Sequence, residues 1–177
     1  MKDRSRLSKG LRPTTGKVKE ALFNILRSRI DEARFLDLYA GTGAVGIEAL
    51  RQGAKEVIFV EASRSNAKSI NDAIEKYHFS EKATVINKKV LTFLMHGELT
   101  ENMFDIIFLD PPYHTDEILE AMAAIEESNI LNDSGVVVAE HFAKKQLPER
   151  FKRLLRVRDY RYGDTVLSLY EKREPLV

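Results

Sequence analysis

Short apolar runs alternate along the chain with stretches whose apolar residues recur every three or four positions. The runs cover residues 35–39, 56–61, 83–87, 104–110 and 135–140. The second, fourth and fifth are almost continuously apolar, as parallel strands covered on both faces are. Between them, residues 47–52 form a helical pattern that stops at Gly53, a residue suited to ending a helix. Residues 66–77 place Ala67, Ile70, Ala73, Ile74 and Tyr77 on one stripe. Residues 117–127 do the same with Ile118, Leu119, Met122 and Ile125. Alternation at this spacing predicts an α/β fold with a doubly wound, mostly parallel sheet.

Both ends add to that pattern. Val18, Leu22, Ile25, Leu26 and Ile30 outline an amphipathic helix, entered through Arg12-Pro13-Thr14-Thr15. After the fifth run, residues 155–162 and 165–172 flank Gly163-Asp164, a good hairpin turn pair. The strand carrying Leu167, Leu169 and Tyr170 is expected to close the sheet as an antiparallel edge. Alternation within residues 155–162 puts Arg156 and Arg158 on one face and Arg161 on the other. No repeat or linker divides the 177 residues, a length that suits one domain of ~100–200 residues. A basic segment and helix (1–30) would then precede a core (31–177).

Composition narrows the class. With 44% hydrophobic and 31% charged residues, the chain reads as globular rather than disordered. It has no cysteine, which removes disulfides, thiolate metal sites and a cysteine nucleophile together. No apolar run approaches the ~20 residues of a membrane span, and the charged N-terminus lacks a signal peptide's apolar core. A cytoplasmic, monomeric protein without membrane contact is expected. His78, His96, His114 and His141 lack metal-ligand spacing, so no metal is expected. The net charge of +1 conceals an asymmetry. Residues 1–20 hold seven basic residues against two acidic, residues 144–162 eight against two, and residues 21–143 eleven against twenty. Two segments that attract polyanions thus flank a middle that repels them. Arg12, Lys17 and Lys19 are candidate phosphate contacts.

The first strand runs into Asp37-Leu38-Tyr39-Ala40-Gly41-Thr42-Gly43-Ala44-Val45-Gly46. Gly41, Gly43 and Gly46 satisfy a G-x-G-x-x-G pattern, and Glu61 ends the next strand, so a nicotinamide cofactor must be weighed. Asp37 favours a different ligand. A pyrophosphate at the helix N-terminus is disfavoured by a carboxylate at the mouth of the same loop. S-adenosylmethionine has no phosphate, and its ammonium and sulfonium are cationic. Glu61 suits the ribose hydroxyls of either ligand.

Asp110-Pro111-Pro112-Tyr113 follows the fourth strand, at the carboxyl edge where α/β sheets bind ligands. The two prolines stiffen the segment. An exocyclic amine conjugated to a base is a poor nucleophile. Acceptors for its two N–H groups, from Asp110 and the Pro111 carbonyl, would favour a tetrahedral nitrogen with a directed lone pair. Tyr113 can stack on a base that has left its helix or loop, which means base flipping.

The Asp-Pro-Pro-Tyr motif marks amino-methyltransferases that use S-adenosylmethionine. Leu11-Arg12-Pro13-Thr14-Thr15, the segment VKEALFNIL (18–26), LDLYAGTG (36–43), FDIIFLDPPY (104–113) and Tyr162-Gly163-Asp164-Thr165 together resemble the bacterial 16S ribosomal RNA guanine-N2 methyltransferase family. The resemblance covers residues 11 to about 172. It implies a Rossmann-like class I methyltransferase fold, and methyl transfer to N2 of a guanine in 16S rRNA of the small ribosomal subunit, leaving S-adenosylhomocysteine. It assigns the cofactor to Asp37, Tyr39, Ala40, Gly41, Thr42, Gly43, Glu61, Ala62, Lys89 and Val90. Catalysis falls to Asp110, Pro111, Pro112 and Tyr113, and RNA contact to Arg12, Thr14, Thr15, Lys17 and Lys19. The chain departs from the family at three places. Ten residues precede Leu11, where members usually begin with a basic β-hairpin. Gly16-Lys17 replaces a usual Asp-Arg pair. Lys89, which has no acceptor, stands where an Asp or Asn commonly meets the adenine amine. A DNA adenine-N6 or other amino methyltransferase, or a non-catalytic RNA-binding or assembly factor on the same fold, remains the alternative.

Overall fold

The computed structural model describes residues 16–96 and 103–174. In chain order its elements are α1 (Gly16–Leu26), β1 (Arg34–Leu38), α2 (Ala44–Arg51), β2 (Glu56–Val60), α3 (Arg64–Lys76), β3 (Ala83–Ile86) and α4 (Val90–His96). They continue with β4 (Phe104–Leu109), α5 (Glu117–Ser128), β5 (Leu131–Phe142), β6 (Arg150–Phe151), β7 (Leu154–Tyr162) and β8 (Thr165–Lys172). The sheet order is β3-β2-β1-β4-β5-β8-β7-β6. The first five strands run parallel, and β8, β7 and β6 pair antiparallel beyond them. The α/β class and the parallel sheet follow the apolar pattern. The helix α4 was not foreseen, because seven residues are too few to display a 3.6-residue period.

Helices cover both faces. On one, Val18, Leu22 and Leu26 of α1, Ile47 of α2 and Ile70 of α3 pack around Phe35, Phe59, Phe108 and Val138. On the other, Phe93 of α4 and Ile118, Met122 and Ile125 of α5 pack on Leu36, Leu38, Ile107 and Val137. Period-two alternation along each strand feeds both layers. The helix α1 buries Val18, Leu22, Phe23 and Leu26, and each such side chain contributes about 1.5–3 kcal/mol. It ends at Leu26 rather than continuing to residue 30. The Arg29 amide donates to the Leu26 carbonyl at 2.8 Å, and Glu32 adopts φ 58, turning the chain toward β1. Ile30 stays buried in the turn. Among the described residues no helix is long and apolar enough to cross a membrane.

The C-terminal hairpin departs from expectation twice. The strand β8 lies inside the sheet, between β5 and β7, and the edge is β7 with the two-residue β6. Seven of its positions pair with β5 from Val136 to Phe142, and this interior place is why Val166 to Tyr170 are all buried. Second, β7 carries a bulge between Arg156 and Arg158, which pair with the consecutive residues Tyr170 and Leu169. Val157 is the extra residue, and one extra residue reverses every later side chain. Arg156 therefore shares a face with Asp159 and Arg161, while Arg158 shares the opposite face with Tyr160 and Tyr162. The contact between Arg156 and Asp159 at 3.6 Å agrees with that register.

The close approach of α2 to the sheet is set by a missing atom. A Cβ on Gly46 would lie 2.2 Å from Cε1 of Phe59 on β2. Alanine at a helical position ordinarily gains ~1 kcal/mol over glycine, but here a buried ring must move. Gly46→Ala is expected to lose a net ~1–3 kcal/mol, the range for overpacked cores. Urea unfolding checks this, and the loss should shrink in a Phe59→Leu background, where the clashing ring atoms are gone.

Candidate active site

The strand order reverses between β1 and β4. The connection from β1 runs toward β2, that from β4 toward β5, and Leu38 lies beside Leu109 at their shared carboxyl ends. Diverging loops at such a point leave a crevice. One wall is the glycine loop, Tyr39 to Gly43, and the other begins at Asp110.

Two buried carboxylates shape the first wall. Asp37 is 1% exposed, and its Oδ2 accepts the Gly46 amide at 3.0 Å. It thereby satisfies a first-turn N–H of α2 that would otherwise lack a partner. Glu61, 8% exposed at the end of β2, accepts the Gly41 amide through Oε2 at 2.6 Å and the Ser63 amide through Oε1 at 2.7 Å. It ties the loop after β1 to the loop after β2. Each carboxylate oxygen has two lone-pair sites, so ribose hydroxyls can share those oxygens. Tyr39 and Gly43 adopt φ 61 and φ 78, which turn the chain sharply into α2. The Tyr39 hydroxyl donates to Glu117 at 3.1 Å, joining this loop to the start of α5. Ala40 and Gly41 are half-buried, Thr42 after them is exposed, and so is Ala62, which follows Glu61. Lys89 is exposed and immediately precedes α4, whose first residue, Val90, is buried.

Burial pushes the Asp37 carboxyl up to about 7; the Gly46 hydrogen bond opposes this and the Glu61 charge adds to it. Burial also lowers His141, whose Nε2 lies 2.8 Å from Ser168 Oγ.

The second wall is stiff and aromatic. Pro111 is buried and Pro112 exposed. The Thr115 hydroxyl donates to the Pro112 carbonyl at 3.1 Å, closing the turn into α5. The Tyr113 ring stacks on Phe142 at the end of β5, with centroids 6.2 Å apart and planes 17° from parallel. Its hydroxyl donates to Oε1 of Glu140 at 3.2 Å. Burial pushes the phenol up to about 12; Thr165 opposes, and the Glu140 and Asp110 charges add.

The structure thus brings the glycine loop, Glu61 and Asp110 to Tyr113 to one sheet edge. Lys17 and Lys19 lie on α1, exposed and half-buried respectively. Arg12, Thr14 and Thr15 lie outside the described residues. Three contributors were missed from sequence. Asn87 donates to the carbonyls of Glu61 and Ala62 at 2.8 and 3.1 Å, pinning that loop. Glu140, 2% exposed, and Phe142 hold Tyr113. Glu140 had a legible signal, a carboxylate closing an apolar run, the same signal that marks Glu61 and Asp110. Among the described residues no cluster of His, Asp and Glu could hold a metal ion.

A family model described as Conserved hypothetical protein 95 matches residues 4–171. The chain belongs to that family. It is 38% identical over 141 residues to ribosomal RNA small subunit methyltransferase D of Haemophilus influenzae, covering 79% of this chain and 72% of the relative. The protein of the same name from Escherichia coli K12 is 33% identical, with 80% and 69% covered. The solved structure of HI0767 from Haemophilus influenzae superposes with a TM-score of 0.80 at 32% identity, covering 92% of this chain and all of that one. These similarities carry the class I methyltransferase fold across the sheet described above.

The pH dependence of stability tests the Asp37 environment. Between its ordinary value of 3.8 and about 7, native Asp37 holds a proton that the unfolded chain has lost. Its contribution therefore falls as pH rises through that window, by ~1.4 kcal/mol per unit. In urea titrations at pH 5 and pH 7.5, wild type should lose about 2–3 kcal/mol relative to Asp37→Asn. The opposite trend from His141 is common to both proteins and cancels. A difference that does not change with pH counts against the assignment.

Proposed function

We propose that the protein transfers a methyl group from S-adenosylmethionine to the exocyclic N2 of a guanine in 16S rRNA, within the small ribosomal subunit. The observation that supports this most is the placement of Asp110 directly across the strand reversal from the glycine loop, with the Tyr113 ring held beside it by Phe142 and Glu140. The H. influenzae and E. coli relatives named ribosomal RNA small subunit methyltransferase D share this family.

The residues present fit that donor. The amides of the glycine loop suit its carboxylate, Glu61 its ribose hydroxyls, and the start of α4, Lys89 and Val90, its adenine. The buried Asp37 and Glu61 make the first wall acidic, which suits a ligand with two cationic groups. A pyrophosphate meets a worse site, because Asp37 already takes the Gly46 amide that a phosphate would need. S-adenosylmethionine, when bound, supplies a methyl group made electrophilic by its sulfonium.

The chain's own residues prepare the nucleophile. Asp110 and the Pro111 carbonyl accept the two N–H groups of the amine and hold its lone pair out of the base plane. The base stacks on the face of Tyr113 opposite Phe142, which requires it to flip out of its helix or loop. Alkylation makes the amine strongly acidic, so the carboxylate of Asp110 is a sufficient acceptor for its proton. Catalysis is then alignment plus fixed electrostatics.

Transfer of labelled methyl groups to small subunits from cells lacking the modification tests this reading. Label is expected in guanine N2, and Asp110→Ala should lower kcat by about 10²–10³ while donor affinity stays within about twofold, a ~0.4 kcal/mol change. Label in duplex DNA instead of the particle would transfer the assignment to DNA, and equal losses of rate and donor affinity would refute the role of Asp110. Titration calorimetry separates the cofactors. A cationic ligand favours ionised Asp37, so S-adenosylmethionine affinity should rise up to about tenfold per unit between pH 5.5 and 7 and lose that slope in Asp37→Asn. A pyrophosphate ligand such as NAD would show the reverse.

A further inference from the structure

The basic stretch 144–162 holds eight cations, and their partners sort them. Lys145, Lys152, Arg153 and Arg156 form ion pairs with Asp116, Glu127, Glu126 and Asp159. Arg150 donates to the carbonyls of Lys152 and Arg173. Among the described residues, Lys144, Arg158 and Arg161 have no carboxylate partner. Two of these three sit over aromatic rings: the Lys144 ammonium lies 5.8 Å from the Phe142 centroid, and the Arg158 guanidinium 5.0 Å from that of Tyr160.

Strand register places those rings in one track. Phe142 pairs with Thr165, which pairs with Tyr162; Glu140 pairs with Leu167, which pairs with Tyr160. Directly paired residues share a face, so Phe142, Tyr162, Tyr160 and Arg158 all lie on the side that α1 covers. With strands ~4.8 Å apart, Tyr162 stands about 10 Å from Phe142, on which Tyr113 stacks. Beyond Tyr162 the track becomes a groove between α1 and β7, lined by Lys17, Glu20, Asn24, Tyr160 and Tyr162. Its lining carries one cation, Lys17, and one carboxylate, Glu20, and Arg158 lies on the same strand face over the Tyr160 ring. Flat aromatic faces interleaved with cations, running toward the Tyr113 ring to which the target base is assigned above, suit a polyanion that carries bases.

We propose that this groove holds the rRNA strand next to the methylated nucleotide, with Tyr160 and Tyr162 as stacking platforms and Lys17, Lys144 and Arg158 as phosphate contacts. The assignment rests on the proposed function, since it takes the strand to be the one whose base reaches Asp110.

The test compares wild type with Arg158→Gln and Tyr162→Leu in the full chain. Arg158 is exposed, and leucine keeps an apolar side chain under α1, so both should fold, with urea midpoints as the check. Methyl transfer to small subunits lacking the modification gives KM and kcat, and filter binding of 16S rRNA gives affinity without turnover. Each variant should raise the KM for the particle about five- to fiftyfold, with kcat and donor affinity unchanged. Arg158→Gln should also flatten the log–log salt dependence of RNA binding by about 0.7. Polyuridylate should compete better than polyphosphate of equal charge. Equal competition, or variants with unchanged KM and RNA affinity beside an active wild type, overturns the groove and leaves the reaction standing. A wild type that binds rRNA without methylating it, with both variants weakened, upholds the groove and overturns the reaction. A wild type that neither binds nor methylates rRNA overturns both.

Discussion

The bond from the Gly46 amide to the buried Asp37 carboxylate holds the site's first wall in place. It joins the end of β1 to the first turn of α2 across a loop that must leave room for a ligand. The loop has two further restraints. Gly46 lets α2 sit against Phe59, and Glu61 takes the Gly41 amide from the neighbouring strand. Two carboxylates with little solvent would repel one another if both were charged. Burial resolves this by keeping Asp37 partly protonated near neutral pH, at an electrostatic cost that a cationic ligand would remove. The acidity of the first wall is thus a structural restraint and, for the proposed donor, would also be a means of choosing the ligand.

Strands buried on both faces were the most legible part of the sequence, because continuous apolar runs such as Val136 to Ala139 have few other uses. The ends of elements were less so. Val18 to Ile30 reads as one helical stripe, and nothing local says that Glu32 turns the chain early, since Ile30 stays buried either way. The bulge at Val157 was illegible for a different reason. Residues 155–162 carry Arg on both faces and no continuous apolar face, so no apolar alternation marks a slip of one residue. Only the pairing with β8 reveals it. In the candidate site, the residues at strand ends were found through their motifs. Asn87 was missed because it acts on backbone carbonyls, and an asparagine in a loop carries no signal of which carbonyl it meets.

Counting charge along the sequence overstated what residues 144–162 offer a polyanion. Half of those cations are paired with carboxylates: three pairs reach α5 or its N-cap and brace the C-terminal segment against that helix, and the fourth lies within β7. A partner can use only charge that the fold has not already spent. Of the remaining four, Arg150 and Arg161 donate to backbone carbonyls, and Lys144 and Arg158 lie over aromatic rings, where binding a phosphate would not require breaking an ion pair. The bulge matters here as well, because it takes Arg156 off the face that Arg158 shares with Tyr160 and Tyr162 and places it with Asp159.

Tyr113 shows how the second wall divides its tasks. A phenol raised to about 12 keeps its proton near neutral pH, and that proton is directed to Glu140. Tyr113 is therefore poorly placed to donate to or accept from a reacting amine, and what it offers is a ring plane fixed at both ends, by Phe142 stacked against it and by the bond at its hydroxyl. In the proposed reaction, a base stacked on that plane would present its edge, not its face, to Asp110 and the Pro111 carbonyl. Edge presentation is what an exocyclic amine requires, since its N–H groups lie in the base plane until acceptors draw them out. The stiffness of the two prolines would then have a specific use in that reaction: the proposed acceptors and the stacking ring belong to four consecutive residues, so their relative geometry does not depend on any moving element.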